Sequence, residues 1–234
     1  MPSSFPSIDG RRATLIEDSA GIRHFPDLLG DQELHFLDRL SAGIKNGWIG
    51  TRVFDDGLQF LLNREGSLMK LACDLIGPEA MAVRAIFFNK TSNQNWSTPW
   101  HQDRTIPVRS KHVMNGYETW SVKNGVHHVE PPISILENMI TLKVHIDACT
   151  YRTGPITVAE GSHQIDRVQA VDASGVAQKF RERICTANAG DVWAMSSTIL
   201  HASSRSTSEK SRRVLHIDFS ASQLPTPLEW FSLN

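Results

Sequence analysis

The chain has 234 residues, 40% of them hydrophobic and 21% charged, a size and mixture that suit a soluble globular protein with a substantial core. Its 24 basic and 25 acidic residues nearly cancel, so no basic stripe points to nucleic acid and no acidic tail to disorder. The three cysteines, Cys73, Cys149 and Cys185, are far apart and form no C-x-x-C pattern, which argues against a zinc ribbon or a disulfide framework and suits reduced thiols in a cytoplasmic protein.

Residues 1–30 carry Pro2, Pro6, Gly10, Gly21, Pro26 and Gly30 as breakers and read as irregular. Met1 to Arg12 has no apolar run, so neither a secretory signal nor a membrane partner is expected. Asp31 reads as a helix N-cap, followed at helical spacing by Leu34, Leu37, Leu40 and Ile44, with Gly47 as the stop. A second helix is expected from Glu65 to Ile76, ended by Gly77-Pro78.

Beyond residue 80 the pattern changes. Ala82 to Phe88 reads as a strand, and Ile140 to Ile146 alternates strictly, as a half-buried strand does. Pro155 to Ala159, Arg183 to Ala187, Asp191 to Met195 and Arg213 to Phe219 are further strand candidates between Gly, Ser and Asn turns. Arg109 to Pro132 is long, polar and broken by Gly116, Gly125 and Pro131-Pro132; it is expected to be a lid or substrate loop, with a plain surface insertion as the alternative. Helices first and many short strands afterwards predict a mainly β sandwich or barrel (residues 81–220) flanked by a helical layer (residues 1–80), with no domain boundary after about residue 80.

Three His-x-Asp triplets occur: His101-Gln-Asp103, His145-Ile-Asp147 and His216-Ile-Asp218. On an extended chain residues i and i+2 point the same way, so an imidazole and a carboxylate can grip one ion. A second histidine from a distant strand completes a facial triad with open positions for O2 and an organic ligand. No histidine follows His216 to complete such a set, and His145 and Asp147 sit on a regular strand where pairing or solvation would account for them. His101-Gln-Asp103 lies at a loop-to-strand junction, with His201 far downstream in an apolar run that would equally suit a core histidine. Arg212 and Arg213 open the last strand, and one of them would suit the far carboxylate of a dicarboxylate co-substrate if it points inward; two surface arginines are the alternative.

Four stretches together resemble the phytanoyl-CoA dioxygenase family of Fe(II)/2-oxoglutarate oxygenases: Trp100-His-Gln-Asp103, Gly154-Pro-Ile-Thr-Val-Ala-Glu-Gly-Ser-His163, Gly190-Asp-Val-Trp193, and His201-Ala-Ser-Ser followed by Arg212. Phe87-Phe-Asn-Lys90 also fits, whereas the first 80 residues match only in being helical. The resemblance implies a double-stranded β-helix (a cupin-like jelly roll), a single oxygenase domain over residues 1–234, and Fe(II), 2-oxoglutarate and O2 as cofactors. It puts the iron on His101, Asp103 and His201, and the 2-oxoglutarate on Arg212, Ser203 and Asn89, with Arg213 as the fallback to Arg212. Lys143 stands where family members often carry an aromatic residue; Lys143 or His145 would touch co-substrate or an acidic substrate if their face of the strand looks inward, and would lie in solvent otherwise.

The implied reaction is hydroxylation of a C–H bond in a small molecule, with release of succinate and CO2. Related halogenases lack the carboxylate ligand, and Asp103 is present here. A cupin-like metalloenzyme without 2-oxoglutarate would need the triad but not Arg212; a non-catalytic jelly-roll binding module would need neither.

Overall fold

A computed structural model of the chain describes residues 18–43, 50–53, 56–231 and 233. Of residues 1–30, expected to be irregular, 1–17 lie outside the described residues, as do Ile44 and Gly47, and Ile22–Phe25 form a strand that pairs with Val192–Met195. The strands are β1 (Ile22–Phe25), β2 (Thr51–Arg52), β3 (Met81–Lys90), β4 (Thr98–His101), β5 (Ile106–Val108), β6 (Glu118–Lys123), β7 (Val126–Glu130), β8 (Met139–His145), β9 (Ile156–Ala159), β10 (Glu182–Cys185), β11 (Val192–Ser196), β12 (His201–Ser203) and β13 (Arg212–Ser220). The helices are α1 (Asp31–Gly43), α2 (Gln59–Leu62), α3 (Ser67–Ile76), α4 (Ile133–Leu136) and α5 (Ala173–Ala177).

All strand pairings are antiparallel, and they form a six-stranded sheet β1-β11-β8-β13-β3-β2, a four-stranded sheet β10-β9-β12-β4 and a small sheet β5-β7-β6. The two larger sheets face each other as the walls of a double-stranded β-helix. The fold is therefore the mainly β jelly roll that the motifs imply.

Alternation decides what lies between the layers. Ile140, Leu142, Val144 and Ile146 point out of the main sheet and join Leu215, Ile217 and Phe219 against the apolar sides of α1, α2 and α3. Thr141, Lys143 and His145 point the other way, into the β-helix. Strand β8 was expected to be half-buried; it is buried along its whole length, because the second sheet covers its polar face.

Local signals explain the ends of the elements. Helix α1 starts at Asp31, but the capping residue is Gly30, whose carbonyl accepts from Leu34 N–H at 3.0 Å and whose N–H donates to Glu33 Oε2 at 2.9 Å. Glu33 reaching back is the return half of a capping box. Helix α3 stops at Gly77, whose φ of 99° is open to glycine.

The segment 109–132 is not an irregular loop throughout: it contains the β6–β7 hairpin. Lys123 pairs with Val126 across Asn124 (φ 50°) and Gly125 (φ 79°). Positive φ at both turn residues is the two-residue hairpin geometry that Asn-Gly favours.

Candidate metal centre

His101 closes β4, Asp103 follows two residues later, and His201 opens β12, directly across from His101. One ligand atom from each of the three lies within 4.8 Å of the others. The imidazole centroids of His101 and His201 are 4.3 Å apart. Each ring is held by its own strand: His101 Nδ1 contacts Pro99 O at 2.8 Å and His201 Nδ1 contacts Ile199 O at 3.0 Å. A carbonyl only accepts, so each Nδ1 carries the proton and donates it. Each Nε2 keeps its lone pair, which is the tautomer a metal ligand needs.

The electrostatics agree. Burial alone would raise the Asp103 pKa, but the positive charge around it, that of Arg84 and Lys143 included, outweighs burial and holds the carboxyl ionised. Burial, with His101 beside it, pushes His201 down to about 3 and keeps it neutral. Two imidazoles and a carboxylate on one side of a site suit iron(II) with open positions.

The triad lies on a cavity of about 250 Å³ that also reaches Ser203, Arg212, Lys143, His216 and the Arg84–Asp218 pair. Strand parity separates Arg212 from Arg213. Arg212 lies opposite Lys90 on the inner face and is 4% exposed. Arg213 lies on the outer face, where it binds both oxygens of Asp147 and reaches Asp38. Arg212 has no such acid, and its Nε and Nη1 are buried with no hydrogen-bond partner.

Asn89 is not part of the cavity. It stands opposite Arg213, on the face that Phe87 and Ala85 turn to the helices. The inward position next to it belongs to Lys90, which sequence reasoning passed over. Lys90 is fully buried and donates to Ser204 O at 2.6 Å, Ser203 Oγ at 3.2 Å and Gly154 O at 3.4 Å. Gly154 permits this approach: a Cβ there would stand 2.6 Å from Ser204 O and 3.1 Å from Lys90 Nζ. Lys143 lines the cavity beside the triad. His145 shares its face but lies outside the cavity, with Nδ1 unpartnered.

Sequence reasoning also missed Arg84, whose Nε pairs with Asp218 while Thr141 donates to the other Asp218 oxygen at 2.7 Å. Arg84, Ile86, Phe88 and Lys90 share one face of β3, but two of the four are apolar, so no alternation marked that face and only pairing with β13 orients it. Among the described residues, no helix is long and apolar enough to cross a membrane.

Residues 52–214, well over half of the chain, match the model of the family described as phytanoyl-CoA dioxygenase (PhyH). No curated protein matches the chain. Similar solved structures include EctD from S. alaskensis in its apoform, with a TM-score of 0.67 and 15% identity over 97% of this chain and 83% of that one. SnoK, a non-heme alpha-ketoglutarate-dependent carbocyclase from nogalamycin biosynthesis, gives a TM-score of 0.64 and 14% identity over 91% and 82%. HygX from Streptomyces hygroscopicus, with nickel and 2-oxoglutarate bound, gives 0.60 and 13% over 91% and 85%. At such identities these likenesses speak to the fold alone.

Proposed function

The chain belongs to the phytanoyl-CoA dioxygenase family and is an iron(II)- and 2-oxoglutarate-dependent oxygenase, and from that premise we propose that it hydroxylates a C–H bond of a small molecule at a site where His101, Asp103 and His201 hold the iron. The observation that carries this reading is the Arg212 guanidinium, buried on the same cavity as the triad with Nε and Nη1 unpartnered and only the Cys149 thiol bonded to it. A buried cation without an anionic partner is costly, and its retention makes sense where a ligand completes it. The planar fork suits the far carboxylate of 2-oxoglutarate, and a cupin-like enzyme without that co-substrate would have no use for it.

The chain's own residues then divide the work. His101 and His201 offer Nε2, and Asp103 offers its ionised carboxylate. Arg212 and Ser203 take the far end of the keto acid. Lys90 pins the Ser203 hydroxyl from behind and so positions it. Bound with 2-oxoglutarate and O2, iron supplies the oxidative decarboxylation to succinate and CO2 that drives oxidation of a substrate. The β-helix walls exclude water and fix which substrate C–H bond lies nearest, and this sets the product. With iron bound, the Asp103 carboxylate would take the place a halide needs, which favours hydroxylation over halogenation.

Succinate release from 2-oxoglutarate by the Fe(II)-loaded protein in air tests the assignment. Release is expected from the wild type, should be lost in His101→Ala and should need a higher 2-oxoglutarate concentration in Arg212→Met. Undiminished release from His101→Ala would overturn the ligand set.

A further inference from the structure

Resting on that reading, we propose that Lys143, backed by His216, is a second carboxylate-binding position in the cavity, separate from Arg212, and that the primary substrate is an anion that docks there.

The cations around the cavity are not equally satisfied. Arg84 is matched by Asp218, and Arg212 is accounted for by the co-substrate. Lys143 is 2% exposed, and its Nζ has a single contact, His216 Nδ1 at 3.4 Å. His216 cannot neutralise it: burial, with Lys143 itself adding, drives the ring pKa well below its ordinary value, so the ring is neutral. An ammonium has three donors, and in a dry site each seeks an acceptor.

Charge balance points to what is missing. Asp103 and Asp218 are the only acids lining the cavity among the described residues. With Asp218 spent on Arg84, Asp103 and the two carboxylates of 2-oxoglutarate still fall short of the iron, Arg212 and Lys143 together. One more negative group, on the substrate, closes the difference. Further positive charge lies near Arg84: Arg52 is opposite Ile86, meets the neutral His128 Nε2 at 3.0 Å, and leaves a buried Nε unpartnered. Arg84 is close enough to raise the local potential at both Arg52 and Lys123.

Benzoate and its neutral isostere benzamide are suitable probes, titrated calorimetrically into anaerobic Fe(II) protein saturated with 2-oxoglutarate. Affinity for 2-oxoglutarate itself is read separately, from the visible absorption band of the bound keto acid. The wild type is expected to bind benzoate at least tenfold tighter than benzamide. Lys143→Met and Lys143→Gln should abolish that preference while changing 2-oxoglutarate affinity less than threefold. Equal binding of benzoate and benzamide by the wild type would overturn the proposal without any variant. A tenfold loss of 2-oxoglutarate affinity in Lys143→Met, with no benzoate binding to the wild type, would assign the position to the near carboxylate of the co-substrate and overturn the substrate claim. Absence of the keto-acid band in folded, iron-loaded wild type would instead overturn the oxygenase reading on which the proposal rests.

Discussion

Leu142 and Lys143 are neighbours in the chain, both essentially buried, and they leave β8 in opposite directions. Leu142 enters an apolar layer between sheet and helices, where every neighbour suits it. Lys143 enters a cavity whose charges are not balanced within the chain. The same contrast runs along β13, where Leu215 and Ile217 look outward and Arg212, His216 and Asp218 look inward. One sheet thus separates two kinds of burial. The outer face makes the fold stable, while the inner face holds polar groups whose full complement comes from outside the protein.

Substitutions on the two faces should therefore fail differently. Leu142→Ala removes a fully buried side chain from the outer layer and should cost about 2–5 kcal/mol in urea unfolding. The folded fraction should bind 2-oxoglutarate as before; a loss of affinity would mean that the faces are not independent. Arg212→Met reverses the pattern. It should weaken 2-oxoglutarate by about 1.5–3 kcal/mol, roughly 10- to 150-fold, while the metal-free protein melts no lower than the wild type, since an orphaned charge has been removed. A fall in melting temperature with unchanged affinity would make Arg212 a structural residue.

His145 sharpens the comparison through pH. Burial, helped by the charge of Arg212, lowers its pKa to about 3. In the unfolded chain it titrates near 6.5, so on acidification the unfolded state takes up the proton first. Its contribution to stability is complete above about pH 6.5 and is lost as pH falls toward 3, at up to about 1.4 kcal/mol per pH unit. His128, lowered to about 4 by burial, acts with the same sign. Urea titrations of the metal-free protein between pH 6.5 and 4.5 should show the decline, and His145→Phe should flatten it. The smallest effect belongs to Arg213→Met. This partly exposed pair with Asp147 and Asp38 should be worth under about 1 kcal/mol, and 2-oxoglutarate affinity should not change.

Much of this division could be read from residues alone. The alternation of Ile140 to Ile146 marked two unlike faces, and helical spacing placed α1 and α3. His101, Asp103 and the lone His201 stood out among the three triplets, because no histidine follows His216 to complete a set and His145 and Asp147 sit on a regular strand. Strand parity was harder to read. Asn89 and Lys90 are neighbours, as are Arg212 and Arg213, and only cross-strand pairing tells which member of each pair faces in. The hairpin at Asn124-Gly125 was written in the sequence, but its flanks alternate too weakly to stand out among glycines and prolines. The Arg84–Asp218–Thr141 and Lys90–Ser203 contacts join residues more than seventy positions apart, and no local pattern predicts them.

The most direct test of the account is the visible absorption spectrum of the protein without oxygen, on adding Fe(II) and then 2-oxoglutarate. A weak charge-transfer band is expected only after both additions, absent in His201→Ala and displaced to higher 2-oxoglutarate concentration in Arg212→Met. A folded wild-type protein that gives no band, or a His201→Ala variant that keeps it, would contradict the account.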